Sequence, residues 1–238
     1  MIRIAVCDDD PENLEYMRGK IAEAFKKRMA AEEIETVLFN SGTDIVNAQV
    51  VGQTDIVFMD IELGENELGF DVARKLVRQK RNLAIVYMSN HDYYISKSFV
   101  CRPLGFVRKH HAAEDLEVVM EEAYQYLQEE SRKICFFNNS KPLELPANEI
   151  RIVEVFNHDL RIEFESGKEL VIRDQLNKHL TELEENGFVL VRRGIAVNVR
   201  CIEKIDGAIM FTTSGKTYQV GRDKMNEVKR QWMKTKYL

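Results

Sequence analysis

The sequence is poor in the features that mark secreted or membrane proteins. It has only 4 prolines and 4 cysteines in 238 residues, and no uninterrupted apolar run approaches the roughly 18 residues that a membrane helix needs. The cysteines lie far apart without a C-x-x-C pair, so we expect reduced thiols rather than a disulfide. The N-terminus shows no leader-like pattern, so we expect a cytoplasmic protein with no membrane partner.

What the sequence does have is the composition of a globular chain, with 45% hydrophobic and 31% charged residues, long enough for two ordinary domains. Its charge is unevenly divided. Residues 1–133 hold 17 Lys and Arg against 24 Asp and Glu, whereas residues 134–238 hold 17 against 15, and residues 188–238 hold 11 against 4. The basic end points to nucleic acid, with a merely solvated basic surface as the alternative.

Strand-like and helix-like segments alternate along the first half. Apolar and β-branched runs predict strands over residues 2–7, 34–39, 55–59, 83–88 and 105–108. Asp10 and Pro11 predict the start of a helix, with Asp10 as its N-cap. Helical spacing predicts three more helices, at about residues 70–81, 93–100 and 113–130. We therefore predict an α/β fold with a doubly wound, five-stranded parallel sheet.

The second half has a different texture. Short alternating runs predict strands over residues 133–137, 151–156, 160–164, 169–172, 188–191, 209–213 and 217–220. Helical patterns cover about residues 173–185 and 223–234. We therefore predict two domains, residues 1–130 and residues 134–238, the second mostly β with two helices.

Polar residues follow the predicted strands of the first half. They are Asp8, Asp9 and Asp10 after the first strand, Asp60 after the third, Ser89 after the fourth and Lys109 after the fifth. Functional groups gather at the carboxyl ends of parallel strands. Crowded carboxylates that stay ionised need a divalent cation, and an all-oxygen site suits Mg²⁺. Phosphoryl transfer to a carboxylate needs these same parts.

In this order and on these strand ends, the set resembles the receiver domain of two-component response regulators, which has a flavodoxin-like fold. The resemblance covers about residues 1–130. It implies that a sensor histidine kinase phosphorylates one aspartate and that Mg²⁺ is the cofactor. The implied roles are phosphoacceptor for Asp60, Mg²⁺ ligation for Asp8, Asp9, Asp60 and the backbone carbonyl of Glu62, phosphoryl contacts for Ser89 and Lys109, and a switching aromatic for Phe106.

The sequence departs from the receiver pattern in three places. Leu63 and Gly64 stand where receivers usually have proline, His110 replaces the proline after Lys109, and Ser89 replaces the commoner threonine. Two alternatives are weighed against a working receiver. One is a vestigial acidic pocket used only as a dimerisation scaffold. The other is an aspartyl-phosphate phosphatase, whose usual D-x-D segment the stretch CDDDP does not match.

The second half carries the stretch FVLVRRGIAVN, an Ile-x-x-Ile-Asp segment and a late arginine. These features resemble the LytTR DNA-binding domain over about residues 134–238. The resemblance implies a mostly β fold that reads DNA through loops in successive major grooves. The implied base contacts are Asn157, His158, Arg193 and Arg222, and the implied phosphate contacts are Arg192, Asn198, Lys224 and Lys229. A local backbone hydrogen bond is the alternative for Asn198, and a solvated ion pair is the alternative for the two adjacent arginines.

Taken together, the two resemblances imply a phosphorylation-dependent transcriptional regulator of a two-component system. Phosphorylation of Asp60 is expected to promote a homodimer that binds double-stranded DNA at a specific sequence. Such a protein is no enzyme, apart from an autophosphatase activity toward its own phosphoryl group. The alternative is a phospho-dependent protein-interaction module with a non-DNA output.

Overall fold

The computed structural model of the chain describes residues 1–64, 67–80, 83–98 and 103–237. The chain divides into two compact units, Met1–Leu127 and Gln128–Leu238. Within the described ranges, no helix is both long and apolar enough to cross a bilayer. Three of the four cysteines lie in these ranges, and all three are free thiols.

In the described part of the first unit, five parallel strands form one sheet in the order β2-β1-β3-β4-β5. The strands are β1 (Ile2–Cys7), β2 (Ile34–Phe39), β3 (Ile56–Asp60), β4 (Ala84–Ser89) and β5 (Gly105–Arg108). The helices are α1 (Pro11–Arg28), α2 (Gly42–Asn47), α3 (Gly69–Gln79), α4 (Tyr94–Ser98) and α5 (Ala112–Glu130). The predicted doubly wound sheet is confirmed, and each strand lies within one residue of its predicted bounds.

Two hydrophobic clusters cover the two faces of this sheet. Alternation along β1 divides its side chains: Ile4 and Val6 pack with α1 and α5, whereas Ala5 and Cys7 pack with α2 and α3. The helix α2 was not predicted, because its six residues are too few for a clear apolar period. The predicted ends of the 70–81 and 93–100 helices lie outside the described residues.

The first helix begins as predicted. Asp10 is its N-cap and accepts hydrogen bonds from the backbone N–H groups of Glu12 (2.8 Å) and Asn13 (3.4 Å), and Pro11 occupies the first turn. The carboxylate of Asp10 is therefore used locally, and it is separate in role from the two aspartates that precede it.

In the second unit, the described residues form mainly antiparallel sheets, as predicted. Its sheets have the orders β10-β9-β8-β12-β11, β13-β14-β15 and β6-β7. The strands are β6 (Lys133–Asn138), β7 (Lys141–Pro146), β8 (Ile150–Phe156), β9 (Asp159–Phe164), β10 (Glu169–Ile172), β11 (Phe188–Arg192), β12 (Ile195–Asn198), β13 (Ile202–Asp206), β14 (Ile209–Thr212) and β15 (Thr217–Gln219). The helices are α6 (Leu180–Glu185) and α7 (Met225–Tyr237). The indole of Trp232 on α7 donates to the carbonyl of Ile202 (3.1 Å), which fastens this helix to the three-stranded sheet.

The structure corrects the predicted elements of this unit in two ways. The strands β7, β12 and β13 are present although no strand was predicted there. The helix predicted over about residues 173–185 ends where predicted but begins later, at Leu180, because an extended residue, Gln175, and a single 3₁₀ turn precede helix α6. The reason is Asp174, whose carboxylate binds backbone N–H groups and holds the chain extended at this point.

Asp174 is a buried acceptor for three donors. Its carboxylate accepts from the backbone N–H groups of Phe137 (2.7 Å) and Gln175 (2.8 Å) and lies 2.7 Å from Nε2 of His179, itself only 3% exposed. Burial opposes the negative charge, but these donors outweigh it and hold the pKa of Asp174 below its ordinary value. The side chain thus joins strand β6 to the segment before α6.

We predict that Asp174→Ala lowers the free energy of unfolding of the second unit by about 2–4 kcal/mol, since three donors lose their acceptor. Because the folded-state pKa is depressed, this contribution is present above about pH 4 and is lost as the pH falls through the folded-state value. Urea unfolding followed by the fluorescence of Trp232, the single tryptophan, measures it.

The control is Glu184→Ala, which removes an exposed carboxylate from the neighbouring helix α6 and should change stability by less than about 0.5 kcal/mol. Equal stabilities for the Asp174 and Glu184 variants at neutral pH would contradict the assigned role of Asp174.

Candidate metal centre and nucleic-acid interface

Three carboxylates meet at the carboxyl end of the first sheet. Asp8 follows β1 and is fully buried, Asp60 ends β3 and is 4% exposed, and Asp9 is exposed. One oxygen of each lies within 4.8 Å of the others. The structure therefore brings together the aspartates that the sequence placed on adjacent strand ends.

Lys109 bridges the two buried carboxylates. It follows β5, is 6% exposed, and its Nζ lies 2.7 Å from Oδ2 of Asp8 and 2.7 Å from Oδ2 of Asp60. Burial disfavours the ammonium, but the charges of Asp60 and Asp8 outweigh burial and raise the pKa of Lys109. Burial also raises the pKa of Asp60 to about 6, with Asp8 adding to the shift and Lys109 opposing it. The single positive charge of Lys109 thus lies beside a cluster of three carboxylates.

This donor set fits a divalent cation. All of its members are carboxylate oxygens, the type of ligand that Mg²⁺ prefers, and the exposure of Asp9 leaves room for the waters that Mg²⁺ retains. The excess of negative charge beside Lys109 gives a cation an electrostatic reason to bind. The backbone of Glu62, the residue of the predicted carbonyl ligand, lies close enough to the Asp60 carboxylate to lower its pKa.

Ser89 and Phe106 lie on the two strands beyond Asp60. Ser89 ends β4, is 1% exposed, and its hydroxyl accepts from the backbone N–H of His91 (2.9 Å). Phe106 is half-buried on β5, opposite Tyr87 of β4, and packs on the cluster shared by α2 and α3. Their predicted roles in sensing and switching stay predictions, because both depend on a phosphoryl group.

Gly69 is a site residue that sequence reasoning missed. Its N–H donates to the carbonyl of Ile61 (2.8 Å), and a Cβ at this position would lie 2.0 Å from the backbone oxygen of Asp60. The start of α3 therefore touches the strand end that carries the buried Asp60 carboxylate, and only glycine permits this approach. The glycine directly before an apolar helical pattern was the available signal in the sequence.

A second missed feature lies on the rim of the acidic site. Oε2 of Glu62 lies 3.4 Å from Nε2 of His91, and the hydroxyl of Tyr94 donates to Oε1 of Glu62 (3.4 Å). These contacts join the loop after β3 to the loop after β4. Both loops leave the sheet at its carboxyl edge, which is why residues so far apart in sequence meet here.

In the second unit, the three predicted DNA-contact loops lie at one edge. Asn157 and His158 form the two-residue turn between β8 and β9, with φ of +49° and +74°, as a type I′ turn requires. Val155, just before this turn, donates its N–H to the carbonyl of Gly194 (2.8 Å). Gly194 follows Arg192 and Arg193 in the turn between β11 and β12.

The third loop joins the same edge through the backbone. Gly221 donates its N–H to the carbonyl of Val191 (2.8 Å), which places Arg222 beside the chain that carries Arg192. Arg192, Arg193 and Arg222 are all exposed. The structure thus brings together basic side chains from two loops and a histidine from the third.

An open groove of about 910 Å³ lies at this edge. Two of the three loops line it, with His158 from one and Arg192 and Arg193 from the other, together with Val155. Residues 174–177 also line the groove, although the sequence predicts them to be part of a helix and gives no link to DNA.

The structure favours the local role for Asn198 over the predicted phosphate contact. Its side chain is 4% exposed, accepts from the N–H of Arg200 (3.1 Å) and donates to the carbonyl of Ile150 (3.3 Å). The amide is therefore used to close the turn after β12, which is the local role that the sequence left open. Lys224 is half-buried just before α7, with Nζ 3.9 Å from Asp223, and Lys229 is exposed on α7.

Comparison with known proteins identifies the family of each half of the chain. Residues 4–121 match the family model of the response regulator receiver domain, and residues 140–233 match that of the LytTr DNA-binding domain. The transcriptional regulatory protein LytR of Staphylococcus aureus is 20% identical over 96% of this chain and 98% of its own length. The sensory transduction protein LytR of Staphylococcus haemolyticus is 23% identical over 97% and 98%. The sensory transduction protein LytT of Bacillus subtilis is 32% identical over 46% of this chain and 42% of its own length.

The sheet, the acidic site at its carboxyl edge and the β unit that follows define a signalling protein with a DNA-binding output. The chain belongs to the two-component response regulators that join an N-terminal receiver domain to a C-terminal LytTR DNA-binding domain. Receiver domains typically bind Mg²⁺, and the acidic cluster of this chain has the ligand atoms for it.

We predict that Mg²⁺ raises the thermal unfolding midpoint of the receiver unit, because a ligand that binds only the folded state stabilises it. Asp9→Asn should remove most of this increase, since it withdraws one carboxylate, while changing the midpoint without Mg²⁺ very little. Circular dichroism with and without Mg²⁺ measures both effects.

The neighbouring Asp10→Asn is the matched control, because asparagine is an equally good N-cap and Asp10 is used by helix α1. This variant should respond to Mg²⁺ like the wild type. An equal loss of the response in both variants would mean that the ion is held by general negative charge rather than by this cluster.

Proposed function

We propose that this chain is a cytoplasmic transcriptional regulator whose DNA binding depends on phosphorylation. In this proposal a sensor histidine kinase transfers a phosphoryl group to Asp60, and the phosphorylated protein forms a homodimer on a specific DNA sequence. The observation that carries the proposal is the buried Asp60 carboxylate beside Asp8 and 2.7 Å from Lys109, in a chain whose second unit is a LytTR DNA-binding domain.

The chemistry assigns one role to each group at the acidic site. An oxygen of Asp60 attacks the phosphorus, an O–P bond forms, and the bond from phosphorus to the donor breaks. Lys109 keeps Asp60 ionised and then pairs with a phosphoryl oxygen, and the hydroxyl of Ser89 donates to another. Asp8, Asp9 and the carbonyl of Glu62 would hold Mg²⁺, which supplies positive charge to the remaining oxygens.

The phosphoryl group changes the charge of a buried pocket, and this change is the signal. Added negative charge draws Ser89 and Lys109 toward Asp60, and Phe106 on the neighbouring strand follows. We place the resulting dimer contact on α4, β5 and α5, the elements next to these residues. In this proposal the protein turns over no separate substrate. The only hydrolysis that it catalyses is the slow loss of its own phosphoryl group.

The edge of the second unit that carries the three loops, here called the DNA-binding edge, makes contacts of two kinds, to bases and to phosphates. Arg193 and Arg222 are the proposed guanine readers, because a guanidinium can bond two acceptors of guanine in the major groove, and Asn157 and His158 add contacts from the β8–β9 turn. The exposed cations Arg192 and Lys229, together with the half-buried Lys224, set register through phosphates. Binding should fall steeply with salt, since phosphate contacts release counterions.

We predict that Asp60→Asn abolishes labelling by a small-molecule phosphodonor in Mg²⁺, because the nucleophilic oxygen is lost. Asp71→Asn, which changes an exposed aspartate on α3, should label like the wild type. Phosphate-affinity electrophoresis measures the labelled fraction. Labelling that persists in the Asp60 variant would place the acceptor elsewhere.

We predict that Arg222→Ala weakens binding to a specific duplex by about 1–3 kcal/mol and relaxes specificity at one position. Lys229→Ala, its comparison variant, should weaken all duplexes alike and reduce the salt slope by about 1. Fluorescence anisotropy across a salt series separates the two. A wild-type response that is flat with salt would instead favour an output through protein contacts.

A further inference from the structure

The groove has a wall that none of the three loops supplies, formed by residues 174–177. This wall carries the exposed side-chain amides of Gln175 and Asn177, and His158, Arg192 and Arg193 line the same groove. Gln175 and Asn177 precede α6 and belong to neither a hairpin turn nor the entry to α7. A ligand in the groove can therefore meet these amides as well as the basic side chains.

Hydrogen bonds of Asp174 and the packing of Leu176 fix this wall in place. Asp174 bonds the N–H of Gln175 (2.8 Å) and the N–H of Phe137 (2.7 Å) and contacts His179 (2.7 Å). Leu176, between the two amides, is 3% exposed and packs into the hydrophobic core beside the five-stranded sheet of the second unit. A segment fixed in this way loses little conformational freedom on binding, which favours specific contacts.

The groove presents a chemistry suited to the major groove of DNA. Asparagine and glutamine amides can bond N6 and N7 of adenine together, arginines bond guanine, and apolar side chains contact the thymine methyl. Val155, which also lines the groove, is 50% exposed. The lining thus combines hydrogen-bond donors and acceptors, an exposed apolar side chain and two exposed cations.

The acidic residues of the groove do not oppose this assignment. The side chain of Asp174 is 1% exposed, and its oxygens are bonded to three donors. Glu154 accepts from Nε of Arg161 (2.6 Å), and its side chain is 13% exposed. Both carboxylates are buried or mostly buried and are hydrogen-bonded within the protein, so the exposed guanidinium groups of Arg192 and Arg193 are the charges of the lining that a ligand meets.

We propose that Gln175 and Asn177 form a fourth DNA-contact element that reads A·T base pairs beside the bases read by the loops. The inference rests on the proposed DNA-binding function and adds residues to its interface. Because Gln175 and Asn177 are uncharged, we assign them a role in base recognition rather than in phosphate binding.

The test begins with the duplex that wild-type protein enriches from a random-sequence library, in the presence of phosphodonor and Mg²⁺. The double variant Gln175→Ala/Asn177→Ala should lose about tenfold or more of its preference for this duplex over a random one. Its affinity for the random duplex and its salt slope should stay as in the wild type, because no cation is removed. Trp232 fluorescence confirms that the second unit is folded.

The control is Thr181→Ala, an exposed polar side chain on α6 that is not part of the groove lining. It should keep the wild-type preference. Selection repeated with the double variant should return a site that has lost A·T preference at one or two positions and kept its guanines.

Three results would overturn the assignment. One is an unchanged preference with an unchanged selected site. Another is an equal loss on both duplexes with a smaller salt slope, which would make these residues phosphate contacts only. The third is a wild-type protein that enriches no sequence at all, in which case the proposed function fails together with the fourth element.

Discussion

The rest of the receiver unit depends on one interaction, the pair of 2.7 Å contacts from Lys109 to the buried carboxylates of Asp8 and Asp60. Two carboxylates this deep repel each other and resist ionisation, and a single ammonium lets both remain charged. It does not balance Asp9 as well, so the site retains negative charge for a cation. The same lysine is the group that an incoming phosphoryl oxygen would meet first.

The DNA-binding edge depends on a different constraint, the pairing of backbone groups. Bonds from Val155 to Gly194 and from Gly221 to Val191 bring separate turns to one place without using any side chain. The basic and amide side chains on these turns are therefore free to face a partner. Asp174 has a role in the second unit like that of Lys109 in the receiver. Each is a buried charged group that contacts several partners and fixes the position of the residues around it.

Much of the receiver could be predicted from the sequence, because its central strands β3 and β4 are apolar runs that end in the polar residues Asp60 and Ser89. The close approach of Gly69 to Asp60 could not, since it depends on the path of a loop. The strands of the second unit were harder to predict, because they are short and only partly alternating. The segment near Asp174 has a helical sequence pattern, and the long-range hydrogen bond to Phe137 that keeps it extended cannot be predicted from that pattern. Asn198 shows the same limit, because only the fold reveals that its amide is buried.

We propose that phosphorylation in the acidic pocket of the receiver controls DNA binding by the LytTR domain. The decisive measurement is the affinity of the full chain for its enriched duplex, with Mg²⁺, before and after stoichiometric phosphorylation. We expect an increase of about tenfold, within the usual range of coupling between two sites, accompanied by a change from monomer to dimer in light scattering. Equal affinity of the two forms, with the phosphoryl group shown to be in place, would rule this control out.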